Sequence, residues 1–429
     1  MERYRAAFHT LGCKTNHYET DGMRQQFVRA GFEVVPFSEP ADVYVVNTCT
    51  VTAEADRKSR QMLHRAKQVN PAALVVAVGC QVVLSGAAKW ADLSLGNQGK
   101  SQIVEIVRRA LTGHGLANEP DPSPIYDEFG AVDQQSETRA YVKIEDGCNN
   151  ACAYCAIPLA RGRVRSRSQE QICLEARALA EAGYQELVLT GIHLCSYGLD
   201  LGLPNYTVME LALDLSRIPG IKRIRLGSLE PLSVTPVFME LAGQNHKLCP
   251  HFHLSLQSGS DAVLARMNRR YRTSDFRAVA AGLRGKFDNP GLTTDVIVGF
   301  PGETEEQFAE SLAFCEEMAF SRMHIFRFSA RQGTRAAAMP DPVSPEEIGR
   351  RSQLMLDLAD RLAMKYHQAQ VGRLHQVLLE RLRPDGFFEA YTPEYVPVRL
   401  PEAPDLAGGQ IITVRSVAAK SDFLICEQT

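Results

Sequence analysis

Cys148, Cys152 and Cys155 stand in the spacing C-x3-C-x2-C within Gly147-Cys148-Asn149-Asn150-Ala151-Cys152-Ala153-Tyr154-Cys155. Thiolates are soft ligands that favour iron–sulfur clusters or zinc, and three so close together can grip one face of a cubane. Three ligands leave one iron open to a substrate or cofactor, whereas a closed four-cysteine cluster mostly carries electrons. A zinc site would need a fourth ligand such as His193 or Cys195, and structural zinc sites usually pair C-x2-C with a second pair. Asn149 and Asn150 favour a turn over a packed helix face.

Three more cysteines share a place rather than a spacing. Cys13, Cys49 and Cys80 each sit one or two residues beyond an expected strand, in Ala6-Ala7-Phe8-His9-Thr10-Leu11-Gly12-Cys13, Val43-Tyr44-Val45-Val46-Asn47-Thr48-Cys49 and Val75-Val76-Ala77-Val78-Gly79-Cys80. The carboxyl ends of parallel strands face one crevice, where ligands of open α/β folds bind. Any one of these cysteines alone reads as a small buried hydrophobe. Three in equivalent places point to a second cluster, again with one iron free. Cys173, Cys249, Cys315 and Cys426 lie singly on helix or strand patterns and read as packing residues; Cys195 is the extra cysteine near the proposed mouth.

The elements that must position these residues are legible as alternation. Across 3–112, apolar runs at Ala6–Leu11, Val43–Asn47 and Leu74–Val78 alternate with amphipathic stretches, which predicts an open α/β domain with a parallel sheet. Residues 113–138 carry no Lys or Arg but hold Pro120, Pro122 and Pro124 and six carboxylates, the composition of a linker. From 139 to 366 a second α/β series has strand candidates Tyr141–Ile144, Glu186–Thr190, Ile221–Gly227, Phe252–Leu256, Thr293–Val298 and Met323–Phe328. Such a series predicts a partial (β/α)6 barrel. Residues 371–429 turn to five short β-runs with Gly and Pro turns, the pattern of a small closed β-barrel.

Composition sets the bounds. A chain of 429 residues, 45% hydrophobic and 23% charged, fits a globular protein of two or three domains. No apolar run approaches the roughly 20 residues that cross a bilayer, and Met1-Glu2-Arg3-Tyr4-Arg5 is charged where a signal peptide would be apolar, so no membrane association and a cytoplasmic location are expected. In that compartment 11 cysteines are not a disulfide framework. A net charge of −3 argues against bulk adhesion to nucleic acid but leaves room for a local basic groove.

On the cysteine loop the chain resembles the radical S-adenosylmethionine superfamily, and the likeness extends to Thr190-Gly191, Ser228-Leu229-Glu230 and Asp295-Val296-Ile297-Val298-Gly299-Phe300-Pro301-Gly302-Glu303. The resemblance implies that the open iron chelates S-adenosyl-L-methionine, whose reductive cleavage gives a 5′-deoxyadenosyl radical. It places Tyr154 near the adenine and makes Gly191, Glu230, Gly299 and Gly302 cofactor-binding candidates, the last two glycines as points of close backbone approach. With the three strand-end cysteines and the terminal barrel, which resembles an RNA-binding TRAM domain, the whole chain is similar to the methylthiotransferase family. The run His9-Thr10-Leu11-Gly12-Cys13-Lys14-Thr15-Asn16-His17-Tyr18-Glu19-Thr20 is closest to the branch acting on N6-threonylcarbamoyladenosine in tRNA. What the family implies is two 4Fe-4S clusters, held by Cys13, Cys49 and Cys80 and by Cys148, Cys152 and Cys155. One S-adenosylmethionine methylates sulfur held at the first, auxiliary cluster. A second yields the radical that takes hydrogen from C2 of the adenine, where the methylthio group is placed. The partners implied are the tRNA anticodon loop, an external electron donor and a sulfur source. Two positions depart from related sequences: Cys195, where a small residue is usual, and Leu159, where an aromatic is common.

Arg161, Arg163, Arg165 and Arg167 put four guanidiniums immediately after the cysteine loop, a segment suited to phosphate and expected to steer RNA to the radical site. Arg161 and Arg163 are also the candidate partners of the substrate carboxylate, while Arg266, Arg269, Arg270 and Arg272 form a second basic group. The terminal barrel is discordant, with six Lys/Arg against eight Asp/Glu from Val371 to Thr429. That acidity weakens the RNA argument and keeps open a related target, an aspartate of a ribosomal protein; the other alternative with the same chemistry is isopentenyladenosine in tRNA. A different class, a non-catalytic iron–sulfur RNA-binding or cluster-carrier protein, would be excluded by 5′-deoxyadenosine formation.

Overall fold

The computed structural model describes residues 3–85, 90–113, 125–203 and 206–429. Its first unit is a parallel sheet of order β2-β1-β3-β4-β5, formed by β1 (Arg5–Thr10), β2 (Glu33–Val35), β3 (Val43–Thr48), β4 (Leu74–Gly79) and β5 (Leu93–Leu95). The central strand β3 is buried along its whole length, as a sheet covered on both faces requires, and its near-continuous apolar run follows. The short strands β2 and β5 were not among the runs read from sequence, because three residues show no period. Strand order reverses between β1 and β3, and Cys13 and Cys49 follow those two strands, at the switch point where open α/β sheets bind ligands.

The second unit is the expected partial barrel. Parallel strands β6 (Ala140–Lys143), β9 (Glu186–Thr190) and β10 (Arg223–Leu226) make one sheet, and β11 (Ser228–Leu229), β12 (His251–Leu254), β13 (Gly291–Val298) and β14 (Arg322–Arg327) make the other. A parallel bridge between Ile224 and Leu248 joins them. The two-residue strands β7 (Glu145–Asp146) and β8 (Arg165–Ser166) pair antiparallel and clamp both ends of the cysteine loop. Around the strands the helices bury one stripe each; Gln169–Glu181 turns Ile172, Ala176 and Leu179 inward. Glu305–Met318 begins at a capping box between Thr304 and Gln307, directly after the Gly299–Glu303 turn.

The third unit is a closed barrel of order β15-β16-β17-β19-β18, from β15 (Leu374–Leu382), β16 (Phe387–Tyr391), β17 (Pro397–Pro401), β18 (Ile411–Ala419) and β19 (Leu424–Gln428). Its 392–395 turn is pressed onto the amino-terminal ends of the central strands. Arg225 donates to the carbonyls of Pro393 (2.8 Å) and Thr392 (3.2 Å), and a Cβ on Gly291 would lie 2.1 Å from the Glu394 carbonyl oxygen.

The expected linker is only partly described, since 114–124 lie outside the described residues. From 125 onward it is a packed strap, not a free tether. The Tyr126 hydroxyl donates to the Lys143 carbonyl (3.0 Å), the Val132 N–H donates to Glu175 (2.9 Å), and Phe129 fills the space a side chain on Gly22 would need. Among the described residues no helix is long and apolar enough to cross a membrane.

Candidate active site

Cys148, Cys152 and Cys155 occupy the loop that leaves β7 at the carboxyl end of the barrel. The Asn150 N–H donates to the Cys148 sulfur (3.4 Å), and Arg269 Nη1 donates to the Cys152 sulfur (3.2 Å) while its Nη2 donates to Glu230 (2.8 Å). Burial pushes the Cys148 thiol up to about 11 and that of Cys155 to about 12, with the other cysteines of the loop adding to the rise. Such thiols ionise when a metal takes the place of the proton. Neither this triplet nor the other brings three sulfurs within 4.8 Å of one another, the spacing a single ion would demand. The donor set therefore fits a cluster better than one zinc. Both candidate fourth ligands are engaged elsewhere. His193 pairs with Asn150 through Nε2 (3.1 Å) and Ser196 through Nδ1 (2.6 Å), and the Cys195 sulfur accepts the Glu230 N–H (3.4 Å). Cys195 thus orients the Glu230 backbone, a role sequence did not indicate.

Glu145 and Gly191 lie against each other beside this loop. A Cβ on Gly191 would lie 2.1 Å from the Glu145 carboxylate, which accepts the His193 N–H (2.5 Å). Burial, reinforced by Asp146, pushes the Glu145 carboxyl up to about 8. Tyr154 lines a pocket of about 190 Å³ with Val51, Gln257, Ile297 and Phe328. Gly299 and Gly302 sit in a tightly packed turn. A side chain on Gly299 would meet Ile348 at 2.3 Å, and the Gly302 N–H is spent on the Asp341 carbonyl (2.8 Å). Both glycines have positive φ, 75° and 71°, so the turn and its packing account for glycine at both positions.

The other three cysteines converge across the first sheet. A Cβ on Gly12, where φ is 107°, would lie 2.9 Å from the Cys49 sulfur. Burial pushes Cys49 up to about 11, and Cys13 and Cys80 are close enough to add to it. Asn97 donates to the Cys80 sulfur (3.5 Å). Next to them lies a buried charge cluster: Glu19 with Lys100 (2.5 Å), Lys143 (2.8 Å) and Arg161 (2.8 Å), and Asp146 with Lys143 (2.8 Å) and Arg161 (3.0 Å). With Arg165 also 3.6 Å from Asp146, four cations face two carboxylates, and Arg161 Nε has no partner. A positive excess in low dielectric beside converging thiols suits an anionic group held there.

That cluster overturns most of the RNA expectation for 161–167. Arg161 is wholly buried between the first two units and also donates to Asn16 (2.7 Å). Arg165 donates to the carbonyls of Arg161 (2.9 Å) and Arg163 (3.0 Å), and Arg167 is buried against Glu128 and Glu175. These three guanidiniums hold protein to protein; only Arg163 of the four is exposed. In the second basic group Arg266 donates to Gln307 (2.6 Å) and the Gly302 carbonyl (3.1 Å), so it too is internal.

The barrel lumen is a cavity of about 600 Å³ that spans the unit from Gly191 at the top to His251, Arg322 and Tyr395 at the bottom, with Cys13 and Lys14 on its side. Asp295 and Phe326 line both this cavity and the Tyr154 pocket. His253, Asp295 and His324 each place a ligand atom within 4.8 Å of the others. Sequence reasoning passed over Lys14, His251, His253 and His324; the only signal was their place at strand ends or beside Cys13.

Residues 5–92 match the family described as Uncharacterized protein family UPF0004, and 142–315 match the Radical SAM superfamily. The chain is 38% identical over 427 residues to threonylcarbamoyladenosine tRNA methylthiotransferase MtaB of Bacillus subtilis (strain 168), covering 96% of this chain and 94% of that protein. It belongs to the radical S-adenosylmethionine methylthiotransferase family. This methylthiotransferase is also 32% identical over 393 residues to the tRNA-2-methylthio-N(6)-dimethylallyladenosine synthase of Pelotomaculum thermopropionicum, covering 89% and 87% of the two chains. Its fold is shared with the radical S-adenosylmethionine methyltransferase TsrM from Kitasatospora setae, solved with cobalamin and a 4Fe-4S cluster bound: TM-score 0.57 at 13% identity, over 78% and 77% of the two chains.

Proposed function

We propose that this methylthiotransferase adds a methylthio group to C2 of N6-threonylcarbamoyladenosine in the anticodon loop of tRNA. The observation that carries the reading is the lumen itself: Cys13 lines it, and it shares the wall of Asp295 and Phe326 with the Tyr154 pocket. A base in the lumen would lie between the sulfur-holding cysteines and the cofactor pocket. We assign the auxiliary cluster to Cys13, Cys49 and Cys80 in 3–112, the radical cluster to Cys148, Cys152 and Cys155 in 139–366, and the TRAM role to 371–429.

C2 of a purine carries no acidic proton at neutral pH, so side-chain base catalysis is a poor route. Bound S-adenosylmethionine, reduced through the barrel cluster, supplies a primary-carbon radical able to take that hydrogen. In this reading the protein supplies position. Arg269 ties the Cys152 sulfur to Glu230, whose carboxyl His193 and Arg269 hold low against its burial; that carboxylate would receive the amino group of a bound cofactor. Tyr154 would floor the adenosine in the pocket it lines. Glu145, protonated near neutrality, adds no negative charge beside Cys148. Arg163 is the guanidinium left for RNA phosphate. An external electron donor and a sulfur source complete the cycle.

The test gives reconstituted enzyme, reductant and S-adenosylmethionine three substrates: anticodon-loop RNA with N6-threonylcarbamoyladenosine, the same RNA with isopentenyladenosine, and ribosomal protein. Mass spectrometry should find the methylthio group on the first alone. Transfer only to either of the others overturns the substrate assignment.

A further inference from the structure

The floor of the lumen carries cations that pair with no carboxylate among the described residues. Lys14 projects toward the face of Tyr395, 5.8 Å from the ring centre, and has no carboxylate or hydrogen-bond acceptor among the described residues. Arg322, at the rim of the same floor, makes no ion pair among the described residues. The remaining cations nearby are spent: Arg225 on Glu186 (2.7 Å) and Arg139 on Glu380 (2.6 Å). The one carboxylate of the lining, Asp295, faces His253 at 3.3 Å.

Beside Lys14 the orientation of a buried hydrogen-bond chain can be worked out. Asp295 lies 3.3 Å from His253 Nε2, and since a carboxylate only accepts, the neutral form of His253 carries its proton on that nitrogen. Its Nδ1 then accepts from the Thr293 hydroxyl (3.0 Å), whose oxygen accepts from His251 Nε2–H (3.0 Å). The chain ends on His251 Nδ1, which is left as a bare acceptor. That atom has no partner, although His251 is 3% exposed and lines the cavity. Burial, with Arg225 and Lys14 next, holds this imidazole well below its ordinary value and so neutral. The roof over both groups is Tyr395, a non-glycine residue at φ 69°, an unfavourable conformation that the docked 392–395 turn maintains.

We propose that Lys14, Arg322 and His251, walled by Tyr395 of the terminal barrel, form a subsite for a substituent bearing both a carboxylate and a hydroxyl: the carboxylate on the two cations, the hydroxyl donating to His251 Nδ1. The inference rests on the reading above and names its specificity residues. N6 and C2 flank N1 on the same edge of adenine, so a substituent on N6 projects beside the carbon that receives sulfur. Lys14 directly follows Cys13, the cysteine that lines the cavity. An isopentenyl group would leave the half-buried Lys14 and the buried His251 nitrogen against apolar surface without partners, which a site built from polar groups penalises. The expectation that Arg161 and Arg163 bind the carboxylate is thereby replaced, since Arg161 is committed to Glu19 and Asp146. The terminal barrel, on this view, acts as part of the active-site wall.

The experiment compares anticodon stem-loops carrying the threonylcarbamoyl acid or its carboxamide, which is isosteric but neutral. Wild-type holoenzyme should prefer the acid by about 100-fold, in equilibrium binding by fluorescence anisotropy and in transfer at subsaturating RNA, the scale of a charge-assisted contact. The Lys14→Gln/Arg322→Gln double variant should bring the preference near one with iron content at the wild-type level. Arg322→Gln alone, remote in sequence from every cysteine, should reduce it about tenfold and decides the matter if the double variant loses iron. A wild-type enzyme that modifies acid and carboxamide equally, or a preference unchanged in Arg322→Gln, overturns the subsite. Absence of any transfer to the acid RNA by wild type overturns the function instead.

Discussion

The two cysteine triplets are chemically alike and built in opposite ways. Cys148, Cys152 and Cys155 lie on one loop, clamped by a two-residue strand pair, so local chain geometry nearly suffices to gather them. Cys13, Cys49 and Cys80 come from three strand ends and are gathered only when the sheet forms. The electrostatics differ in the same sense. One guanidinium, that of Arg269, reaches the barrel triplet, whereas a buried cluster of Lys100, Lys143 and Arg161 lies beside the other. A site assembled from distant segments needs both a scaffold and a charge environment drawn from its neighbours, and here the second unit supplies Arg161 and Lys143 to a site on the first.

The harshest way to break the comparison is to remove one triplet at a time. Reconstituted enzyme should hold about eight irons, and Cys→Ala at 148, 152 and 155 together should leave about four, as should the triple change at 13, 49 and 80. Either variant should lose transfer entirely. Loss of all the iron in one of them would mean the two sites are not independent.

Arg161 sharpens the comparison next. Arg161→Met removes a buried guanidinium that donates to Glu19, Asp146 and Asn16 at once and leaves those acceptors without it, which should cost about 3–5 kcal/mol, read by denaturant unfolding. The same variant should shift the auxiliary signal in Mössbauer or paramagnetic resonance spectra while leaving the barrel signal in place. A change under about 1 kcal/mol would mean the cluster of charges is dispensable.

The pH dependence follows from the same residues. Arg161, Lys100 and Lys143 hold the Glu19 carboxyl well below the ordinary range despite its burial. Its folded value is depressed, so its stabilisation is complete above the unfolded value of about 4.3 and is lost as pH falls through that value toward the folded one. Wild type should therefore lose stability between about pH 5 and pH 3 more steeply than Glu19→Gln. Parallel acid curves would contradict the assignment.

The smallest effect belongs to the exposed arginine. Arg163→Gln should leave stability within about 0.5 kcal/mol and reduce the salt slope of RNA binding by about 0.7. An unchanged slope would remove Arg163 from the RNA path.

Much of this molecule was legible before folding. The C-x3-C-x2-C loop declares its candidate ligands because they are adjacent in sequence. The strand β9 has the bounds expected of it because alternation and turn residues are local. Even the strand-end cysteines could be grouped, since parallel strands share a direction. Charge was another matter: Arg161, Arg165 and Arg167 looked like a basic surface because a sequence shows the charges of a segment and not what packs against it. Their carboxylate partners Glu19, Glu128, Asp146 and Glu175 are supplied from as far as 142 residues away. The lumen floor is the same lesson in reverse. Lys14, His251, Arg322 and Tyr395 have no common motif, and only the closure of the barrel by its two neighbouring units brings an unpaired cation and a bare acceptor to one cavity. Sequence by itself determined which atoms could bind metal; tertiary structure decided which charges are spent inside the protein and which remain for a substrate, because burial and pairing are properties of the packed chain.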